Sequence, residues 1–327
     1  MSENIIEVNG LEYSYGNFWA VDSVSFFVRK GEIFSFLGPN GAGKSTVINI
    51  LTTLLPLQKG TVRIAGYDLA REPEQVRRSI GIVFQDETLD RDLTVWESLE
   101  LHGRIYSMPK NERRERIDEI IKLVELQEKR DVRTRNLSGG MKRRLEIGRG
   151  LMTRPQVLFL DEPTIGLDTQ TRRRLWDYIK MVNDSGTTIF LTTHYMDEAD
   201  LVSNWIDIVD HGKIIASGTP IKLKDTLGRD VIYLQTDNDE AATDILKALK
   251  AVQDIKATTQ GLVVTINTDG TRCLPIVMSR LREKGIEIKS VNLKKPTLDD
   301  VFVHYTGRDI RNAGAEKLHR IQPRGGR

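Results

Sequence analysis

The stretch Gly38-Pro39-Asn40-Gly41-Ala42-Gly43-Lys44-Ser45-Thr46 restricts the folds open to this chain more than any other feature. It fits the pattern G-x-x-x-x-G-K-[ST]. Residues 32–37 before it form a short apolar run of strand composition, and residues 47–51 after it continue as a helix. Glycines let such a loop curl closely around an anion, so that successive N–H groups and the helix N-terminus point at phosphate. Lys44 is expected to reach the β- and γ-phosphates, and the Ser45 hydroxyl to ligate Mg²⁺. A glycine-rich turn with an exposed lysine is the plainer reading. All four fixed positions in a strand–loop–helix context favour a bound nucleoside triphosphate.

Two further segments fit that chemistry. Residues 157–160, Val-Leu-Phe-Leu, run into Asp161-Glu162-Pro163. A buried strand ending in two carboxylates delivers acid groups to a sheet edge; Asp161 is expected to hold the Mg²⁺. Glu162, one residue on, is placed to polarise an attacking water as general base. The second segment is Asn136-Leu137-Ser138-Gly139-Gly140-Met141, followed by helical residues 142–148. Ser138 reads as a helix N-cap with the helix dipole directed at whatever lies in front. A plain capped helix explains Ser138 but not two glycines just inside the helix, where each costs about 1 kcal/mol. Two anion sites with one set of metal carboxylates predict that each site is half of a pair, completed in a head-to-tail dimer.

Composition narrows the class. The 327 residues allow two domains, and 39% hydrophobic with 29% charged residues is the balance of a globular chain. A net charge of +2 gives no whole-chain signature for nucleic acid, and none is expected as a partner. The lone Cys273 excludes an internal disulfide and reads as helix packing. The start has no basic-then-apolar leader pattern, and no run approaches the ~18 apolar residues of a membrane span. The expectation is a cytoplasmic protein that reaches a membrane only through a partner.

Along residues 1–220, strand-like and helix-like patterns alternate in the α/β manner. Buried strands are expected at 33–37, 80–84, 157–160 and 188–192, each ending at a polar residue of possible chemistry. Ligands of parallel sheets sit at those carboxyl ends. Period-two segments 5–8, 21–28 and 60–64 predict an N-terminal antiparallel sheet. Residues 110–130 read as an amphipathic surface helix whose charges are a solvated face. Beyond Gly218-Thr219-Pro220, strand 231–235, helix 239–251, strands 254–258 and 262–266, helix 272–284 and strand 286–292 give the order βαββαβ of a ferredoxin-like unit over 221–307. The tail 308–327 carries six Arg/Lys against two Asp/Glu and is expected to be disordered.

Together these residues resemble the ATP-binding subunit of an ABC transporter. Leu137-Ser138-Gly139-Gly140 is similar to the family's signature motif. The resemblance implies that Tyr15 stacks on adenine and that Gln85 links nucleotide to a membrane partner, sharing the Mg²⁺ environment with Ser45 and Asp161. It further implies that Asp168 lies in a dimer-contact loop and that His194 contacts the γ-phosphate as a switch. Met141 departs from the commoner glutamine, and Ile165 from a small or polar residue. Neither change removes a charged or phosphate-contacting group.

The run Lys295-Pro296-Thr297 through Gly307 is similar to the closing motif of daunorubicin-resistance-type subunits. Read from its residues alone, it is an amphipathic helix capped by Thr297. The family implies a phosphate-loop NTPase of the ABC type, with mixed core sheet, antiparallel β subdomain, helical subdomain and a small ferredoxin-like α+β domain. It also implies ATP with Mg²⁺, a homodimer peripheral to the membrane under a separate permease, and export of a drug or other amphipathic compound. An ion, haem or polysaccharide cargo is the alternative. A relative acting on DNA or ribosomes would show paired nucleotide domains, a long coiled coil or a zinc motif, and none is in the sequence.

Overall fold

The computed structural model describes residues 3–228, 230–258 and 261–307. The expectation for the tail 308–327 lies outside them. In chain order, strands β1 (Asn4–Tyr15) and β2 (Phe18–Arg29) form a hairpin. Then β3 (Ile33–Leu37) runs through the phosphate-loop sequence into α1 (Lys44–Leu51), followed by β4 (Lys59–Ile64), β5 (Tyr67–Asp68), α2 (Pro73–Ser79) and β6 (Ile80–Val83). Helices α3 (Val95–Ile105), α4 (Lys110–Leu123) and α5 (Gly139–Leu151) make a helical block. Next come β7 (Val157–Asp161), α6 (Thr169–Asp184), β8 (Thr188–Thr193), α7 (Met196–Val202), β9 (Trp205–Asp210) and β10 (Lys213–Gly218). Helix α8 (Pro220–Asp225) leads to β11 (Asp230–Thr236), α9 (Asp239–Lys247), β12 (Val252–Thr258), β13 (Gly261–Ile266), α10 (Gly270–Glu283), β14 (Ile288–Lys294) and α11 (Leu298–Thr306).

Three sheets result. The first is antiparallel, in the order β2-β1-β4-β5. The second, β10-β9-β3-β8-β7-β6, is parallel except for its edge strand β10. Every residue of β3, β7 and β8 is buried, which is why these strands read as unbroken apolar runs. Alternate side chains serve two cores. Phe34, Phe36, Phe159 and Phe190 pack with α1 and the N-terminal sheet. Ile33, Leu158, Leu160, Ile189 and Leu191 pack with α3–α6. Parallel pairing carries the ends of β3, β6, β7 and β8 to one edge, and the phosphate loop, Gln85, Glu162 and His194 follow directly from them.

The third sheet has the order β12-β13-β11-β14, antiparallel throughout, with α9 and α10 on one face over a separate core. This is the ferredoxin-like arrangement expected from βαββαβ. Cys273 is buried in that core, as its packing role requires. Thr297 caps α11 in a reciprocal box with Asp300. That helix buries Leu298, Val301 and Phe302 against Leu37, Met196, Ile206 and Leu223, and so packs on the nucleotide-domain sheet.

Some boundaries move. The helix expected over 110–130 ends at Leu123, and a short turn over Gln127–Lys129 brings Leu126 into the same core as Val124. The helix expected over 239–251 ends at Lys247, and the last strand runs Ile288–Lys294 rather than 286–292. The charges of α4 are also more than a solvated face. Arg113 is buried and its guanidinium forks onto Glu100 at 2.7 and 2.9 Å, while Arg116 donates to the Leu151 carbonyl at 2.6 Å. Long arginine stems cover apolar surface while the planar head satisfies acceptors, so composition alone reads them as solvent-facing.

Candidate functional site

Residues 38–43 form a loop closed on itself: the Lys44 ammonium donates to the carbonyls of Gly38 at 2.8 Å and Pro39 at 3.2 Å. Gly43 caps α1 with φ of 105°, and a Cβ there would stand 2.4 Å from the Ala20 carbonyl oxygen, so only glycine fits. Asn40 and Gly41 are exposed at the loop's crest, Pro39 and Ala42 are buried beneath it, and Thr46 is half-buried in the first turn of α1. The loop has no acidic side chain, and α1 none in its first turn, which suits an anion in front of it.

Lys44 is buried and meets Glu162 Oε1 at 3.3 Å. The other oxygen of Glu162 lies 2.9 Å from His194 Nδ1. Glu162 sits at φ of 44°, a left-handed conformation rare for its residue type, held by its N–H donating to the Thr192 carbonyl at 3.1 Å. Burial opposes ionisation of Glu162, yet the His194 hydrogen bond and the Lys44 charge hold its carboxyl below the ordinary range. Glu162 is therefore a carboxylate near neutrality, the form a general base requires. Burial pushes the Lys44 ammonium down, against the pull of Glu162 and Asp161.

Asp161 is buried and accepts from the Thr192 hydroxyl. Strand register explains the pair, since Asp161 on β7 stands opposite Thr192 on β8. Burial raises the Asp161 carboxyl, with hydrogen bonds from Thr192 and Ser45 working the other way. An oxygen-only pair of one carboxylate and one serine hydroxyl suits Mg²⁺, which keeps several waters and shares phosphate oxygens. Asp161 and Ser45 would hold the ion beside the phosphates, where it would neutralise charge on the transferring group. Among the described residues no group of three or more His, Cys, Asp or Glu could hold a metal by itself.

Side-chain contacts thus join Lys44, Ser45, Asp161, Glu162 and His194 into one cluster. The other expected residues lie around it. Tyr15 is half-exposed at the tip of the β1–β2 hairpin, edge-on to Tyr13 at 5.0 Å. Gln85 is exposed just beyond β6. Ser138 caps α5, its hydroxyl accepting from the Met141 N–H at 3.3 Å. A Cβ on Gly140 would fall 2.4 Å from Thr171 Cγ2, so this glycine also serves the packing of α5 on α6, whereas Gly139 is exposed. Asp168 spends its carboxylate on its own helix, accepting from the Gln170 and Thr171 N–H groups at 3.0 Å each.

Sequence reasoning missed the support behind His194. Buried Glu198 accepts from the hydroxyls of Thr164 at 2.7 Å and Thr193 at 3.3 Å and pairs with Arg172 at 3.2 Å. The Arg172 guanidinium also lies 4.5 Å over the Tyr195 ring, whose centroid is 4.0 Å from that of His194. Three acidic residues shortly after His194, Asp197, Glu198 and Asp200, were visible in the sequence, but nothing local told which one turns inward.

Residues 21–165 match the family described as ABC transporter, and residues 218–306 match the C-terminal domain of DrrA1-3-like ATP-binding proteins. The chain is 39% identical to the daunorubicin resistance ATP-binding protein DrrA3 of Streptomyces coeruleorubidus, covering 95% of this chain and 98% of that one. It is 35% identical to the linearmycin resistance ATP-binding protein LnrL of Bacillus subtilis, covering 94% and 100%. Among solved structures, cbiO1 from Clostridium perfringens, part of the ABC transporter complex cbiONQ, superposes with a TM-score of 0.64 at 27% identity over 76% of this chain and 96% of that one. A dimeric ATP-binding cassette with ADP and Pi bound, in a post-hydrolysis state, gives 0.58 at 30% identity over 65% and 98%. The chain belongs to the ABC transporter family, as an ATP-hydrolysing ATP-binding protein of the DrrA-like, daunorubicin-resistance subfamily.

Proposed function

We propose that this chain powers export of a drug or similar amphipathic compound through a separate membrane permease. It acts as a homodimer at the cytoplasmic face, with residues 1–220 as the motor and 221–307 as an accessory domain. ATP cassettes of the family dimerise and pair with permease subunits. Among the described residues no helix is long and apolar enough to cross a membrane, so the cargo path would belong to the partner. The relatives' names, daunorubicin and linearmycin resistance, support a hydrophobic or amphipathic cargo.

One observation carries the shared-site reading. Lys44, Asp161, Glu162 and His194 form a single cluster within one chain, while the Ser138-Gly139 helix start is exposed and the Ser138 hydroxyl accepts from the Met141 N–H of its own helix. A helix N-terminus stabilises an anion only within its first turn. The Ser138 site is therefore left to serve a partner's γ-phosphate. Phosphate arriving at Lys44 would replace Glu162 as its counter-charge and release that carboxylate toward water, with His194 still on its other oxygen.

Mixing inactive variants tests this. Lys44→Ala removes the phosphate grip, and Ser138→Arg blocks the helix start. A heterodimer of the two has one site with both lesions and one with neither, so ATPase activity should reappear on mixing. A single-chain tandem with both lesions in one half has one lesion in each site and should stay inactive. A tandem that hydrolyses while the mixture does not would make each site internal to its chain. For cargo, cells with the permease and wild-type protein should accumulate less of a fluorescent anthracycline than cells with Glu162→Gln. Equal accumulation removes drug export from the reading.

A further inference from the structure

Arg143 lies in the first turns of α5 and is 7% exposed. Its guanidinium reaches two distant segments at once. Nη1 donates to the Phe84 carbonyl at 2.6 Å, one residue before Gln85. Nε donates to the Pro163 carbonyl at 2.7 Å, and Nη2 to the carbonyls of Asp161 at 3.1 Å and Glu162 at 3.4 Å. Glu146, one turn along and 3% exposed, compensates the charge at 2.9 Å. The other Glu146 oxygen takes the Thr88 N–H at 2.8 Å, three residues beyond Gln85. The pair therefore grips the segment around Gln85 from both sides and the backbone of both carboxylates from behind.

The chemistry of the fork matters here. Acceptors spread around a plane suit guanidinium; an ammonium has three donors and no plane. Glu162 is held at a left-handed φ, a conformation that persists only where the surroundings fix it. A buried arginine bound mostly to neutral carbonyls also needs its carboxylate, because unpaired charge in the interior is costly.

We propose that Arg143, completed by Glu146, is a positioning pair for ATP hydrolysis. It sets the backbone from which Asp161, Glu162 and Gln85 project, and it ties them to the helix that begins at Ser138. This rests on Glu162 as the base. In a dimer with shared sites, α5 of one chain faces the partner's nucleotide while the carboxylates face its own. Arg143 then transmits displacement of the helix to the chain's own Glu162.

The test uses the full-length protein, with kcat, KM for ATP and melting temperature measured together. Arg143→Lys should lower kcat about tenfold or more with KM within about threefold, the pattern of a lost transition-state arrangement. Glu146→Gln, nearly isosteric and still an acceptor for Thr88, should lower kcat about threefold. In a Glu162→Gln background, Arg143→Lys should change the single-turnover rate by no more than about twofold, since residues acting through one group are not additive. Unchanged kcat per folded protein in both single variants, with only the melting temperature lowered, would make the pair a structural tie and overturn the proposal. Fully additive losses would overturn action through Glu162. Should Arg143→Lys fail to fold, Glu146→Gln decides by the same kcat measurement. If Glu162→Gln retains wild-type turnover while Arg143→Lys does not, the base assignment fails and the pair stands, acting on Asp161 and Gln85.

Discussion

The core sheet and the C-terminal sheet differ in where they put charge. In the core, β3, β7 and β8 are buried along their whole length, and ionisable side chains collect where parallel strands end together: Lys44, Asp161, Glu162, His194. In the C-terminal sheet the neighbours run antiparallel, so each edge mixes strand starts with strand ends, and the charged pair found there, Asp230 with Lys295 at 2.6 Å, joins β11 to the end of β14 in the same sheet. Two polar contacts of this sheet serve attachment. The Tyr233 hydroxyl bonds Asp300, and Asp254 meets His304 at 3.0 Å, both tying the sheet to α11. Convergent carboxyl ends of parallel strands favour a ligand site.

The largest expected effect would break that division if it came out otherwise. Phe302 is fully buried where α11 packs on the core, and Phe302→Ala should destabilise by about 3–5 kcal/mol through the cavity it leaves. Denaturant melts measure this, and kcat of the folded protein should stay within about twofold, because α11 lends no group to the cluster. A tenfold loss of kcat at unchanged stability would put the docking region into the chemistry.

Glu162→Gln comes next. Turnover should fall at least about a hundredfold, roughly 2.7 kcal/mol of barrier, with nucleotide affinity kept. An ATP-bound dimer should accumulate, visible by size-exclusion chromatography. Near wild-type turnover would take the base role from Glu162.

Asp207 sharpens the contrast within the core sheet itself. It is buried in β9 with hydrogen bonds from Trp205 and Ser217, and burial pushes its carboxyl from 3.8 up to about 6. The folded state therefore holds this proton more tightly than the unfolded chain. Ionisation costs stability as pH rises from about 4 to 6, and the cost stays constant above that. Asp207→Asn should gain about 1–2 kcal/mol at pH 7.5, and the gain should vanish near pH 4. A gain independent of pH would point to packing. The smallest effect belongs to the C-terminal tie. His304 and Asp254 are each about a third exposed, and His304→Gln should cost under about 1 kcal/mol with ATPase unaffected.

Much of the site was legible because its parts are local patterns. The phosphate loop, the Asp161-Glu162 pair and the Ser138 cap each need only a few neighbouring residues to be recognised, since loop, strand end and helix cap are built within one turn of chain. The three buried phenylalanine-bearing strands, β3, β7 and β8, were legible for the same reason, as unbroken apolar runs. Arg113 and Arg143 were not, because an arginine in a polar helix gives no local sign of an acceptor waiting across the fold.

The sequence by itself determined which groups stand at strand ends and which helices are capped, as backbone geometry and hydrophobic period act over a few residues. Only the tertiary structure decided their partners. Thr192 meets Asp161 because β8 lies beside β7 in register, and His194 meets Glu162 one step beyond that register. Sheet order and helix docking are set by the burial of many apolar side chains at once, a property of the whole packed core that no short stretch of chain contains.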